Sequence, residues 1–363
     1  MKDFYQEISL FLAKSIGNYH PANFDTEIKE LGMYRRAIIF LEGVVGRLGR
    51  LLSRDLSGLV ISRKNFYFDN LPRFKDSFDL LCDEGSRKKY IELLAYRMLG
   101  FTKVKLSLNQ PEFWNARAAA AAYRQPERLP ANFKKGYLEL YDLTKAGYDG
   151  LRLYFVQNGI FVDFILQQYN YNDLVCVNKG DVVIDAGGCW GDTALYFAAR
   201  GAVQVFVYEF IPSNIKIFNQ NLALNPHLAE RIKLVEKPVW ENSGVDLSFE
   251  DQGPASHVAA AGVYSGMTQT LSIDDLVRER GLSKVDFIKM DIEGAEFPAL
   301  KGAAETIRQY KPKLAISVYH QPDDLVTIPA YIQSLNPDYE FYLDYYTVVG
   351  DEIMLYAMDK HAK

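Results

Sequence analysis

Five residues in one stretch and the strand after it carry the first chemical signal in this chain: Asp185, Gly187, Gly188, Gly191 and, 24 residues beyond Asp185, Glu209. "DAGGCWGD" follows "DVVI", a short β-branched run, and precedes "TALYFAARG", whose apolar residues recur at helical spacing. A carboxylate and a glycine cluster at a strand-to-helix junction suit a nucleotide-like ligand, since glycine lets the backbone come close to it. A dinucleotide fingerprint needs G-x-G-x-x-G, and with Gly188 and Gly191 as its last two glycines the first position holds Ala186. The spacing D-x-G-x-x-x-G through Asp185, Gly187 and Gly191 fits better. It suits S-adenosylmethionine, a cation without phosphates, which needs close backbone approach at its amino-acid end and a carboxylate, Glu209, for its ribose hydroxyls.

A second group lies in "KMDIEGAE". Lys289 falls inside a strand expected to be buried on both faces, where an unpaired ammonium is costly. It must find a carboxylate or a carbonyl, and Asp291 and Glu293 are the nearest acids in sequence. His320 follows "AISVY" at the end of another strand, and its ordinary pKa suits a general base near neutrality, with Asp291 sharing or orienting that work. Asp291, Glu293 and His320 are also of the types that hold a divalent metal. Their spacing does not demand one, so no metal is assigned and metal assistance stays open as the minority alternative.

The elements that must position these residues are legible as alternation. Strands are predicted at "DVVIDA", "QVFVYE", "IKLVEKPV", "VDFIKMD" and "KLAISVY", with helices at residues 192–200, 213–224, 296–309 and 324–335 between or after them. Residues 240–268 read as a less regular insertion, and "YEFYLDYY" and "EIMLYAM" as a closing antiparallel pair. This is an α/β pattern: a mostly parallel sheet with helices on both faces, whose ligands bind at the carboxyl ends of the strands. "LRLYFVQNG" and "IFVDFILQQ" read as a hairpin or covering layer around Gly159. Residues 1–147 read as a mainly helical domain with a connector, and 148–363 as the ligand-binding domain. In the first, "SRKKYIELLAYRMLGF" has Ser86 as N-cap and Gly100 as stop, and the alanine-rich "NQPEFWNARAAAAAYRQPERLPANF" has no strand periodicity.

Composition narrows the class. The chain has 363 residues, 48% of them hydrophobic, enough for two cores, and a net charge of −5 gives no reason to bind nucleic acid. Cys82, Cys176 and Cys189 form no CxxC pair, which points to a reducing, cytoplasmic setting. No leader and no membrane span is expected, although residues 34–64, with Arg47, Arg50 and Arg54 beside an apolar stripe, leave peripheral membrane contact open. Oligomeric state, homo-oligomer included, is not encoded in any motif.

"DVVIDAGGCWGDTALYFA", "VYEFIPSN", "SIDDL", "VDFIKMDIEGAEFPALKGA" and "KPKLAISVYH" together resemble the FkbM family of S-adenosylmethionine-dependent methyltransferases, over roughly residues 150–357. The resemblance implies a Rossmann-like class I methyltransferase fold and O-methylation of a hydroxyl on a sugar, glycan or related natural product. It lays the first cofactor motif on Asp185, Gly187, Gly188 and Gly191, the ribose acid on Glu209, and the adenine cover on Val239 and Trp240. Two rivals remain: an NAD(P)-dependent oxidoreductase, disfavoured by Ala186, and a non-catalytic binding protein that kept the fold. The acceptor and the role of the N-terminal residues stay unread.

Overall fold

The structure is a computed structural model that describes residues 3–16, 66–101, 103–131, 136–251, 257–258 and 266–362. Helices α1 (Phe4–Ile16), α2 (Leu71–Leu80), α3 (Glu84–Leu99) and α4 (Pro111–Ala119) come first, then strands β1 (Arg124–Pro130), β2 (Tyr137–Asp142) and β3 (Arg152–Phe155). The alternating part follows: β4 (Val182–Ala186), α5 (Asp192–Ala199), β5 (Gln204–Tyr208), α6 (Pro212–Leu224) and β6 (Ile232–Val235). After β7 (Asp246–Glu250), β8 (His257–Val258) and β9 (Gly266–Gln269) come α7 (Ile273–Arg280), β10 (Phe287–Met290), α8 (Glu296–Lys301) and α9 (Ala304–Tyr310). The described chain closes with β11 (Lys313–Ser317), α10 (Asp324–Leu335), β12 (Tyr339–Tyr345) and β13 (Ile353–Asp359).

Seven strands form one sheet in the order β12-β13-β11-β10-β4-β5-β6, parallel except where β13 runs antiparallel to both neighbours. Every residue of β4 is buried, which is why the run is apolar on both faces apart from Asp185. Its side chains alternate between two cores: Val182, Ile184 and Ala186 join Ile288, Ile316 and Leu343 on one face, and Val183 joins Val207, Phe287 and Met354 on the other. Helices α1 to α3 pack into the first core through Phe4, Phe74, Leu94 and Met98, so they share the sheet's core. Residues from Phe113 to Val177 cover the second face.

From β4 the chain runs outward through β5 and β6, then returns to β10 on β4's other side. Strand order therefore reverses between β4 and β10, and a crevice opens at their carboxyl ends. The register places Lys289 directly opposite Asp185 and Met290 opposite Ala186.

Several expectations change. Asp83, whose side chain accepts from the Ser86 amide at 2.7 Å, caps α3 in place of Ser86, while Gly100 does end it, at φ 83. The alanine-rich connector holds α4 as read, but Arg124–Pro130 pairs with β2 as an edge strand: its prolines and exposed charges suit an edge and hide the periodicity. The hairpin is not centred on Gly159. It joins β2 to β3 through the loop of residues 143–151, and Ile160–Ile165 is a π-helical turn. The third strand ends at Val235, the helix at 296–309 breaks between Lys301 and Ala304, and the insertion at 240–268 contains the three-stranded sheet β8-β7-β9. Residues 34–64 lie outside the described residues.

Candidate active site

A cavity of about 310 Å³ lies at the crevice. Its wall takes Gly187 and Cys189 from the β4–α5 loop, Glu209 from the end of β5, Val239 and Trp240 from the segment after β6, and Lys289, Asp291 and Glu293 from β10 and its following turn. Asp163 from the π-helical turn, Tyr169, Tyr319 and Glu352 complete the side facing β10. The two groups of residues singled out in the sequence thus meet, on either side of the glycine loop.

The loop's shape explains its glycines. Gly187 has φ 90, and a Cβ there would stand 2.1 Å from the Asp291 carbonyl oxygen, so the loop lies flat against the end of β10. Gly191 has φ 85 and packs on the Phe218 ring, where a Cβ would come within 2.9 Å. Neither position tolerates an L side chain without moving the loop. Asp185, Gly188 and Gly191 are not on the wall; they hold the loop from beneath. Asp185 is fully buried and accepts the Thr193 hydroxyl at 2.6 Å.

Lys289 finds its carboxylate across the sheet instead of along its own strand. Its Nζ is 3.2 Å from Asp185 Oδ1 and donates to the carbonyls of Gly187 at 2.6 Å and Ala186 at 3.2 Å. The ammonium therefore ties the glycine loop to β10. Asp291 and Glu293, the nearest acids in sequence, are not among its bonds. Burial works against this ammonium, but Asp185, Asp291 and Asp192 together hold its pKa above the ordinary lysine value.

Glu209 accepts the amides of Phe210 at 2.8 Å and Ile211 at 2.7 Å on one oxygen, and the Asn214 amide at 3.3 Å on the other. Asn214 in turn accepts the Trp190 indole N–H, which makes Trp190 a packing residue. Burial pushes the Glu209 carboxyl up to about 7 despite these donors. It also pushes Asp192 up to about 7. A protonated Glu209 loses an acceptor for ribose hydroxyls, so S-adenosylhomocysteine should bind about tenfold more weakly at pH 6 than at pH 8, by calorimetric titration. A flat profile would take Glu209 out of the binding set.

Asp291 is held from both sides: Tyr169 donates to its Oδ2 at 3.3 Å and Tyr319 to its Oδ1 at 3.4 Å. His320 lies behind it, off the cavity wall, with Nδ1 2.9 Å from Glu296 Oε1 and Nε2 3.7 Å from Asp291 Oδ1. Burial lowers the imidazole pKa, but Glu296, then Asp291 and Glu293, raise it to about 9. With its pKa raised and its ring off the wall, His320 does not take the position expected of a base; Asp291 is the group that reaches the wall.

Sequence reasoning missed Asp163, Tyr169, Tyr319 and Glu352. Asp163 had a faint signal as a lone acid in "IFVDF", where burial now pushes its pKa well above the usual carboxylate range. Glu352 had none: it is a non-glycine residue at φ 51, with a buried carboxylate oxygen that has no partner.

Electrostatically the wall is lopsided. Six carboxyl groups line it, Asp163, Asp192, Glu209, Asp291, Glu293 and Glu352, against Lys237 and Lys289; burial raises the pKa of Asp163, Asp192, Glu209 and Glu352, and the wall has no arginine among the described residues.

Residues 175–345 match the family described as the methyltransferase FkbM domain. Over these residues the chain is similar to an FkbM methyltransferase domain. A solved methyltransferase FkbM from Methylobacillus flagellatus KT superposes with a TM-score of 0.52 at 23% identity, over 80% of this chain and 59% of that one. The present chain thus spans less than two thirds of that protein's length, and the likeness establishes the fold, a Rossmann-like class I methyltransferase. A putative rRNA methylase from Clostridium thermocellum matches 54% of this chain and 94% of its own at 11% identity and a TM-score of 0.36. An O-methyltransferase from Bacillus cereus in complex with S-adenosylhomocysteine matches 69% and 89% at 14% identity and a TM-score of 0.33. No curated protein matches the sequence. The FkbM domain uses S-adenosylmethionine, and the glycine cradle, the acid at the end of β5 and the cover by Val239 and Trp240 fit that group.

Proposed function

We propose that the protein is an S-adenosylmethionine-dependent O-methyltransferase acting on a hydroxyl of a sugar, glycan or related natural product. The observation that carries this reading is the acid-rich, arginine-free wall around the glycine loop. Such a wall offers hydrogen-bond acceptors where the pyrophosphate of a nicotinamide dinucleotide would need cations and donors, and suits a cationic sulfonium better. The side facing β10, with Asp163, Asp291, Glu352 and two tyrosine hydroxyls, offers hydrogen-bond acceptors in the number a polyhydroxylated acceptor would use.

Bound S-adenosylmethionine would supply an electrophilic methyl group. The chain's own residues supply the rest. Gly187 and Glu209 would hold the cofactor, and Trp240 and Val239 would cover its base. Asp291 stands across the loop from Glu209, one strand beyond β4, and receives the proton of the attacking hydroxyl. Tyr169 and Tyr319 fix the carboxylate that does so. None of α1 to α4 reaches the wall, so the described part of the N-terminal region supports the sheet from outside the cavity. Three unpaired cysteines, Cys82, Cys176 and Cys189, suit a cytoplasmic setting, and among the described residues no helix is long and apolar enough to cross a membrane.

Calorimetric titration with S-adenosylhomocysteine, with reduced nicotinamide dinucleotide in parallel, tests the cofactor. Micromolar binding of the first and none of the second is expected, and the reverse would hand the fold to the oxidoreductase reading. Transfer of a labelled methyl group to hydroxylated glycan fractions then tests the reaction. Glu209→Ala should weaken S-adenosylhomocysteine binding by about 1.5–3 kcal/mol, the range for hydrogen bonds to a charged group. An unchanged dissociation constant would remove Glu209 from the site.

A further inference from the structure

The turn after β10 folds back on the end of β11 and builds a second chemical centre behind the wall. Glu293 at φ 55 and Gly294 at φ 95 make the reversal, and a Cβ on Gly294 would stand 2.6 Å from the Gln321 amide nitrogen, so the turn is pressed against the residue that follows His320. This brings donor atoms of Asp291, Glu296 and His320 within 4.8 Å of one another. Three acids, Asp291, Glu293 and Glu296, surround one imidazole.

The imidazole is the second observation. Its side chain is 8% exposed, and neither ring nitrogen has a hydrogen-bond partner. Nε2 points between Asp291 Oδ1 at 3.7 Å and Glu293 Oε2 at 3.8 Å, both too far for a hydrogen bond. Two ligand atoms about 2.1 Å from a shared ion and about 120° apart are roughly 3.6 Å from each other, so each of the two imidazole-to-acid distances has the span of a ligand pair. The other ring nitrogen, Nδ1, lies 2.9 Å from Glu296 Oε1, and that same oxygen accepts the Ile292 amide at 2.8 Å. A buried carboxylate beside the far nitrogen is where the group that orients a metal-ligating histidine commonly stands.

We propose that His320 Nε2, Asp291 and Glu293 form a site for a divalent cation of the manganese, iron or zinc kind, with Glu296 as its positioning residue. One nitrogen and two carboxylates, with positions open toward the cavity through the half-exposed Glu293, suit such ions and leave room for an acceptor hydroxyl. The site stands on the protein's own donor set and does not depend on the cofactor assignment.

The test is titration of the purified, metal-stripped protein with Mn²⁺ alone, followed by calorimetry and by the loss of the free-ion electron paramagnetic resonance signal. One saturable site per chain is expected, abolished in His320→Ala and weakened at least tenfold in Glu293→Gln. In Glu296→Gln a weakening of about 10- to 100-fold is expected, as for a residue that acts through the histidine. Retained S-adenosylhomocysteine binding shows that each variant is folded. If His320→Ala does not fold, Glu293→Gln decides, since its side chain is half exposed. Wild-type protein that takes up neither Mn²⁺ nor Zn²⁺, or variants that bind as wild type does, would overturn the site. Mn²⁺ uptake without S-adenosylhomocysteine binding would leave the site standing and sink the proposed function instead.

Discussion

Lys289→Met should destabilise the protein by about 3–5 kcal/mol, read from urea unfolding at pH 8, because it leaves Asp185 charged and unpaired in a dry interior. Asp185 is fully buried, keeps only the Thr193 hydroxyl, and sits among further acids at Asp163, Asp192 and Asp291. Burial already holds its carboxyl above the usual range, with Lys289 as the main opposing influence. Without the ammonium its folded pKa rises further above the unfolded value of about 3.9. The folded state then binds a proton that the unfolded state releases, so stability falls as pH rises from the unfolded value toward the folded one. The defect should accordingly be smaller at pH 5 than at pH 8. Asp185→Asn/Lys289→Met should recover most of the loss, since both charges are then gone. A single variant with unchanged midpoint at pH 8 would show that the pair does not hold the loop to β10.

That pair illustrates what the sequence can and cannot carry. The buried strand and its lone lysine were legible from "DFIKM", and so was the need for a partner. The choice of Asp185 over Asp291 was not, because it depends on register: only when β4 and β10 pair with Asp185 opposite Lys289 does the nearer acid in sequence become the farther one in space. The same limit explains His320. Its place at the ligand edge followed from strand alternation, yet its protonation is set by Glu296, whose proximity follows from the positive-φ turn at Glu293 and Gly294. The glycine loop was readable because its residues are contiguous and their φ values leave little choice of residue type. Glu352 was unreadable for the opposite reason: the β12–β13 turn delivers it to the cavity through the antiparallel edge of the sheet, and nothing local marks a turn acid as a wall residue.

Asp291→Asn should lower kcat by about 10²- to 10⁴-fold, the range for removing a general base, and leave the S-adenosylhomocysteine dissociation constant within about twofold. The substitution keeps the size of the side chain and a carbonyl oxygen for one of the two tyrosine hydroxyls, while the other must turn to accept from the amide, and it removes the capacity to accept a proton. The comparison with Glu209→Ala is what gives the measurement its force. Glu209 and Asp291 both end parallel strands at the same crevice, separated by β4, so a general collapse of the cavity would damage binding and turnover in both variants. If the two carboxylates divide the work as proposed, Glu209→Ala loses affinity for S-adenosylhomocysteine and Asp291→Asn loses rate at saturating cofactor. A Asp291→Asn variant that turns over at the wild-type rate would move the proton to Asp163 or Glu352, the other buried carboxyls on that side of the wall. Loss of cofactor binding with no separate loss of rate would place Asp291 on the cofactor instead, and with it the boundary between the two halves of the cavity.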